Sequence, residues 1–310
     1  MKRRPYDATR LLKWYPPSWR ARYGDDFLAY VDDTLDGKRP TVGFVSSIAL
    51  GAVRERAHES GLLGEHPTPA VQSRGGSLLV LCAWSVFMLA GATFSKTSEH
   101  FAKAMPAGSS SPARVGFDIV AGCGALGMIL VLIGACVALP SFVAFLRSGG
   151  WTVARRRILH SLTLTVLALV AIVPLSLWSR HLNSVQRNGG DGAYSGAFIA
   201  WAVLIALTLV SWDRVALQCV ARMALSSRVL RVEALLATGV SILMVTITAG
   251  AALWWVRVGS SAPWFLQGTS YGSSASPLTP NLILTLALMV VAACAGALGV
   301  SRIMRSRRHA

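Results

Sequence analysis

Few groups in this chain of 310 residues are spaced to do chemistry. Asp25, Asp26, Asp32, Asp33 and Asp36 fall close together, and Asp32 and Asp36 stand one helical turn apart, a spacing that can turn two carboxylates toward a hard cation. The alternating carboxylates of a calcium-binding loop are missing, so a solvated acidic helix face is expected and no metal is assigned. Six histidines, His58, His66, His100, His160, His181 and His309, contain no HxxxH or HExxH pair that would seat zinc. None of the five lysines stands in a GxxxxGK[ST] loop, and neither SxxK nor GxSxG occurs, so phosphate cradles and activated serines have no signature here. Cys82, Cys123, Cys136 and Cys294 lie in apolar runs and Cys219 in a basic stretch, without a CxxC pair, as small packing residues would. No catalytic residue, cofactor or metal is expected, and the chain does not read as an enzyme.

The elements that would have to position any site explain why so little is polar. Hydrophobic residues make up 53% of the chain and charged residues 14%, against about 25% charged in an ordinary soluble domain. Six runs are long and apolar enough to cross about 30 Å of hydrocarbon at 1.5 Å per residue. They are placed near Ser77–Phe94, Ile119–Phe145, Ile158–Trp178, Ala193–Trp212, Ala234–Val256 and Leu282–Ser301, with Pro140 expected to kink or end the second. The fold class is therefore an all-α integral membrane protein. A cytoplasmic helical segment over 1–76 precedes a six-helix transmembrane domain over 77–301 and a basic cytoplasmic tail over 302–310. Met1 to Pro17 lacks the apolar core of a signal peptide, so insertion is expected to begin with the first span.

Charge placement sets the orientation. Between the runs, 24 Lys and Arg residues fall on one side and six on the other, which puts both termini in the cytoplasm of a bacterial plasma membrane. The net charge of +16 is thus mostly topological. Residues 1–76 hold 12 basic against nine acidic groups without a continuous basic helix face, so direct nucleic-acid binding is not expected. Trp178, Trp212, Trp254 and Trp255 lie at span ends, where an indole can keep its ring in the apolar edge and its N–H among headgroups. The opposite side has loops rich in Gly, Ser and Pro, too short for a folded domain.

Within the six ranges there is no Asp, Glu, Lys or Arg, and His160 is the one ionisable group apart from thiols. Asp118 falls just ahead of the second run, at the interface. Ion-coupled transport and intramembrane proteolysis need ionisable groups at depth and are disfavoured. Small residues four apart, Ala121/Ala125, Ala292/Gly296 and Ala295/Gly299, mark the second and sixth runs as candidates for close helix packing or a homo-oligomer face. The basic groups Arg155, Arg156 and Arg157, and Arg302, Arg305, Arg307 and Arg308, suit anionic lipid headgroups or stop-transfer anchoring.

Ahead of the membrane, three short helices are expected. The first runs over about Asp7–Trp14 and stops at Tyr15-Pro16-Pro17. Ser18 is placed to cap the second, whose stripe is Trp19, Tyr23, Phe27, Tyr30, Val31 and Leu35, with Gly37 closing it. Thr41 can cap the third, with Val45, Ile48, Ala49, Ala52 and Val53 as a matching face.

The block from Leu11 to Leu28, with Tyr15-Pro16, Trp19-Arg20, Arg22-Tyr23-Gly24, Asp25-Asp26 and Phe27-Leu28, resembles an N-terminal block of many actinobacterial membrane proteins. These are short helical signalling domains associated with helix-turn-helix regulators of the PadR type, and the resemblance covers roughly residues 8–60. Beyond Pro40 the chain departs from the pattern: Val42-Gly43-Phe44-Val45-Ser46-Ser47 stands where an acidic amphipathic helix is usual. The resemblance implies a sensory or regulatory membrane protein that signals to a cytosolic transcription regulator. Trp19, Arg20, Arg22, Tyr23, Asp26 and Phe27 are the candidates for docking that partner. The alternative is a permease or uncoupled channel component of a transport system.

Overall fold

The computed structural model of the chain describes residues 8–35, 40–59, 69–98, 112–183, 186–187, 191–220, 222–223, 225–266 and 279–308. Asp36, Gly37 and most of the expected Gly-, Ser- and Pro-rich connections lie outside the described residues. All regular structure among the described residues is helical.

Three elements precede the long apolar helices. They are α1 (Thr9–Leu12), shorter than the expected Asp7–Trp14, then α2 (Pro17–Leu35) and α3 (Val42–Glu59). Pro17 occupies the first helical position of α2, where a missing N–H goes unnoticed. Ser18 is therefore inside the helix and not its cap, and its Oγ donates to Glu59 Oε1 at 2.6 Å, fastening the start of α2 to the end of α3. Thr41 Oγ1 accepts from the Phe44 N–H at 3.3 Å and satisfies a donor at the start of α3. Leu11, Tyr15, Phe27, Val31, Ile48 and Ala52 close a core among the three helices. Val53, expected on the inner face of α3, is 64% exposed, because it stands about 100° around the helix from buried Ala52.

Five helical stretches are long and apolar enough to cross a membrane: Val71–Lys96, Ala113–His181, Gly192–Val220, Ser227–Ser261 and Asn281–Ser306. They belong to α4 (Pro69–Thr97), α5 (Pro112–Phe145), α6 (Trp151–His181), α7 (Gly192–Val220), α8 (Ser227–Ser261) and α10 (Thr279–Arg308), with the short α9 (Pro263–Leu266) after α8. Two of the six expected runs, the second and third, share one helical stretch of 69 residues. It bends at Leu146–Gly150, where Ser148 has φ −80° and ψ 19° and Gly149 has φ 95°. Glycine suits both positions of this elbow. At 149 the backbone is left-handed, and at 150 a Cβ would lie 2.6 Å from the Phe145 carbonyl oxygen. Pro140, expected to kink or end this run, sits within α5, which continues to Phe145. The expected domain limits at 76/77 and 301/302 fall inside α4 and α10, which run through them.

Packing divides the apolar helices into two groups. Helices α4, α5, α8 and α10 form one bundle, with α4 along α10 and α5 along α8, while α6 and α7 pair with each other and meet the bundle chiefly through α4. Trp84, Phe87, Phe94, Met244, Trp254 and Met289 fill the bundle core, and Phe94 meets Trp254 edge-on at 5.1 Å. Trp254, expected at the interface, is fully buried. Trp212 also departs from a headgroup role: its Nε1–H donates to Thr165 Oγ1 at 3.0 Å, between α7 and α6. The same pair is joined by Ser161 and Ser211 at 2.7 Å and by Trp201 Nε1–H to the Ala168 carbonyl at 3.0 Å. Outward faces carry large apolar side chains, among them Leu132, Leu169, Val170, Leu235 and Val291, each more than half exposed. A surface this apolar needs lipid rather than water around it.

Candidate functional site

The residues with the most suggestive chemistry fall on the surface of α2. Its inner side is structural: Trp19 stacks on Tyr15 with ring centroids 3.9 Å apart and meets Phe27 edge-on at 5.8 Å. Phe27 is buried and belongs to the core, so of the six docking candidates it is the one not open to a partner. Tyr23 leans on Trp19 at 5.4 Å and is 44% exposed, and Tyr30, two turns on, is 59% exposed. The Arg22 guanidinium lies 6.0 Å from the Tyr23 ring centroid, and Asp26, exposed, follows Arg22 by one turn. At 100° per residue, Trp19, Arg22, Tyr23, Asp26 and Tyr30 share about 100° of arc. Arg20 is exposed but turned to another flank. Helical spacing puts Tyr30 in the packed stripe; its exposure makes it a surface residue that spacing alone does not separate from Phe27. Beneath this face, burial first and the Glu55 carboxylate second raise the Tyr15 phenol above its ordinary value.

The small-residue pairs behave differently from one another. Ala292 is buried, Ala295 is partly buried against the core, and Gly296 faces Met244 and Ser241 of α8. Gly299 faces Gly76 and Val80 of α4 so closely that a Cβ at 299 would stand 2.7 Å from the Gly76 oxygen. Thus α10 is a central packing helix. Ala121 and Ala125 are exposed on α5, away from its described neighbours. The close approach on α5 is made instead by Gly116, against Gly250 and Trp254, and by Gly127, against the Trp84 ring.

Two partly buried carboxylates lie inside the apolar helices. Asp213 is one residue past the expected end of the fourth run and Glu233 one before the start of the fifth, yet α7 and α8 continue through them. Asp213 Oδ1 accepts a hydrogen bond from Ser85 Oγ at 3.0 Å, between α7 and α4. Along α4, Ser85 is 11 residues from Lys96 and 14 from Val71, about 16 and 21 Å, so this bond sits near the middle of that helix. Glu233 Oε1 is buried and accepts no hydrogen bond from the described residues, with Gly134 of α5 beside the carboxylate. The six expected ranges themselves hold no Asp, Glu, Lys or Arg, but the helices run on past them and take in both carboxylates. Toward the other end of the joint between α4 and α7, the Lys96 ammonium lies 5.4 Å from the Phe198 ring centroid. His160 is exposed on α6 and Asp118 exposed on α5. Among the described residues no three metal-ligating side chains come together.

No protein-family model matches this chain, and neither a curated protein nor a solved structure matches it.

Proposed function

We propose that this chain is a regulatory membrane protein, not an enzyme, whose N-terminal helices present a docking face to a cytosolic regulatory protein. The observation that carries this is the face of α2. Two exposed tyrosines and a half-buried tryptophan alternate with Arg22 and Asp26 on a unit that packs around its own core. Tyr, Trp and Arg are the residues most enriched where proteins grip one another, and a core beneath them holds them ready at low entropic cost. The resemblance of residues 11–28 to PadR-associated signalling helices points to a transcription regulator as the partner.

In this proposal the membrane domain has six spans. A stretch of 69 helical residues is about 100 Å long, three times the hydrocarbon thickness, and its elbow at Ser148–Gly149 divides it into two lengths that each suffice for one crossing. Six crossings return the chain to its starting side, so the 24 basic residues share one face, the cytoplasm of a bacterial cell, with both termini.

The test is affinity capture from native cells with three full-length forms: unaltered, Arg22→Glu with Tyr23→Ala, and Asp25→Ala as a control off that face. All three changed residues are exposed, so folding should survive. A cytosolic protein retained by the unaltered and control forms and lost from the double variant supports docking. Identical protein lists from all three remove it. Asp213 and Glu233 favour a second reading, a permease component, because carboxylates inside membrane helices are where substrates and ions are handled. Uptake into vesicles that disappears with Asp213→Asn would favour that alternative.

A further inference from the structure

A shallow groove lies on the exposed side of the elbow between α5 and α6. Leu139, Pro140, Val143 and Ala144 line its length, and Arg147 and Ser148 stand at its end, beside a shallow, open volume of about 770 Å³. The sequence order explains the shape. Pro140 and the small Ala144 leave the side of α5 shallow, and the left-handed turn at Gly149 swings α6 away before it can cover that side. The opposite side of the elbow is occupied, since Phe142, Phe145 and Leu146 pack with Ala154, Ile158, Val215, Cys219 and Met223 of α6 and α7 and the turn after them. Among the described residues no helix covers the groove, and Ala144, Arg147 and Ser148 are open to its surroundings.

We propose that this groove binds one membrane phospholipid with an anionic headgroup. Its two kinds of surface match the two parts of such a molecule. Four apolar side chains run back along α5 toward the hydrocarbon, the course of an acyl chain, and the Arg147 guanidinium and Ser148 hydroxyl stand where the phosphodiester would lie. Arg147 is a fork of N–H donors that meets phosphate oxygens two at a time, and Ser148 adds a shorter donor. Ser148 Oγ now donates to the Phe145 carbonyl at 3.0 Å, a local bond that leaves its lone pairs free and that a phosphate oxygen can replace. The surroundings raise the preference for negative charge: Arg155, Arg156 and Arg157 are exposed in the first two turns of α6, and no Asp or Glu occurs between Asp118 and Asp191. Trp151, 43% exposed beside the elbow, is a residue type that settles at headgroup level. A second copy of the chain is a poorer occupant, since an Arg147 buried against its own symmetry mate would meet like charge.

The site is independent of the docking face on α2 and is tested separately. Purified full-length protein in detergent is titrated with phosphatidylglycerol or with phosphatidylcholine of the same acyl chains, and retained lipid is counted by native mass spectrometry. One well-placed arginine gives about a fivefold preference for the anionic lipid in the first bound molecule. Arg147→Gln should erase that preference, and Ala144→Trp, which fills the groove while keeping the charge, should lower first-site retention of both lipids. Arg305→Gln, at an exposed basic residue of α10, should change neither. Equal retention of the two lipids by the unaltered protein overturns the proposal. A preference that persists in Arg147→Gln, or first-site binding untouched by Ala144→Trp, overturns it as well.

Discussion

The seam between α4 and α10 gives a sharp test of how the bundle is held together. Gly76 and Gly299 face each other so that a Cβ added to either would stand against the other's carbonyl oxygen, at 2.6 Å for residue 76 and 2.7 Å for residue 299. Ordinary contact begins near 3.4 Å, so the helices must part by about 0.8 Å in the first case and 0.7 Å in the second. Backbone is what stands in the way, so no rotamer change relieves the clash, and Gly76→Ala and Gly299→Ala should each cost about 1–3 kcal/mol. Lipid gives the helices no hydrophobic reason to stay together once close packing is lost, so the loss should appear fully in stability. The two substitutions demand the same displacement. Once α10 has moved away to admit Gly299→Ala, a methyl group at position 76 has most of the room it needs, and the double variant should lose about 1 kcal/mol less than the sum of the two single losses. Gly122→Ala is the control, since a Cβ there meets nothing within 4 Å and helix propensity improves. Thermal unfolding in detergent, followed by aggregation or helix content, measures all four variants. Single variants as stable as Gly122→Ala would refute the close seam, and strict additivity would refute the shared displacement.

Other expectations follow from the same contacts. Phe27→Ala should destabilise the N-terminal unit by about 3–5 kcal/mol, enough to expose it to limited proteolysis, while Tyr23→Ala, at the exposed edge, should leave its protease resistance intact. The raised Tyr15 phenol means the folded unit holds this proton more tightly than the unfolded chain. Its contribution to stability is therefore complete below about pH 10 and lost as pH rises beyond it, and Tyr15→Phe should flatten this alkaline loss in a pH series of unfolding curves. Cysteines introduced into a thiol-free background at Ser110, Asn188 and Ser273 should react in intact cells with an impermeant reagent, and one at Thr152, exposed beside the elbow, should not; labelling at Thr152 would invert the proposed orientation. Ser85→Ala should cost about 1–3 kcal/mol by removing the donor that serves Asp213, whereas Ser85→Thr should keep most of the stability.

Much of the helical class is readable from the sequence because apolar runs of twenty residues have few alternatives. Their ends are less readable, for a physical reason that Asp213 and Glu233 make plain. Hydropathy sees a carboxylate as an end to a span, but helices continue wherever backbone bonding does, and a partner such as Ser85 on another helix is invisible in one dimension. Trp254 misleads in the same way: an indole near the end of an apolar run reads as an interface anchor, and only the approach of Phe94 turns it inward. Spacing finds the small-residue pairs of α10, yet Ala121 and Ala125 carry the same spacing on an exposed face, because periodicity identifies a face without saying what meets it. On α2 the helical stripe is correct as a stripe. Whether its edge faces inward depends on the width of the core, and a core of six buried residues is too narrow to cover Tyr23 and Tyr30.

The joint between α4 and α7 is where the two halves of the membrane domain can influence each other. The pair α6 and α7 has its own core and its own polar ties, Ser161 to Ser211 and Trp212 to Thr165. It is held to the four-helix bundle by the bond from Ser85 to Asp213 and by Lys96 over Phe198. A carboxylate within an apolar helix bundle is costly to keep charged, and one neutral hydroxyl donor offsets only part of that cost. A tie of this kind is weak by construction and responds to whatever changes the charge or the wetting of Asp213. A pair of helices with its own core, joined to a bundle through a carboxylate, suits a sensor that shifts between two arrangements, and it suits a transporter for the same reason. What separates the two readings is therefore which protein the face of α2 holds, a transcription regulator in the first and the ATPase of a transport system in the second.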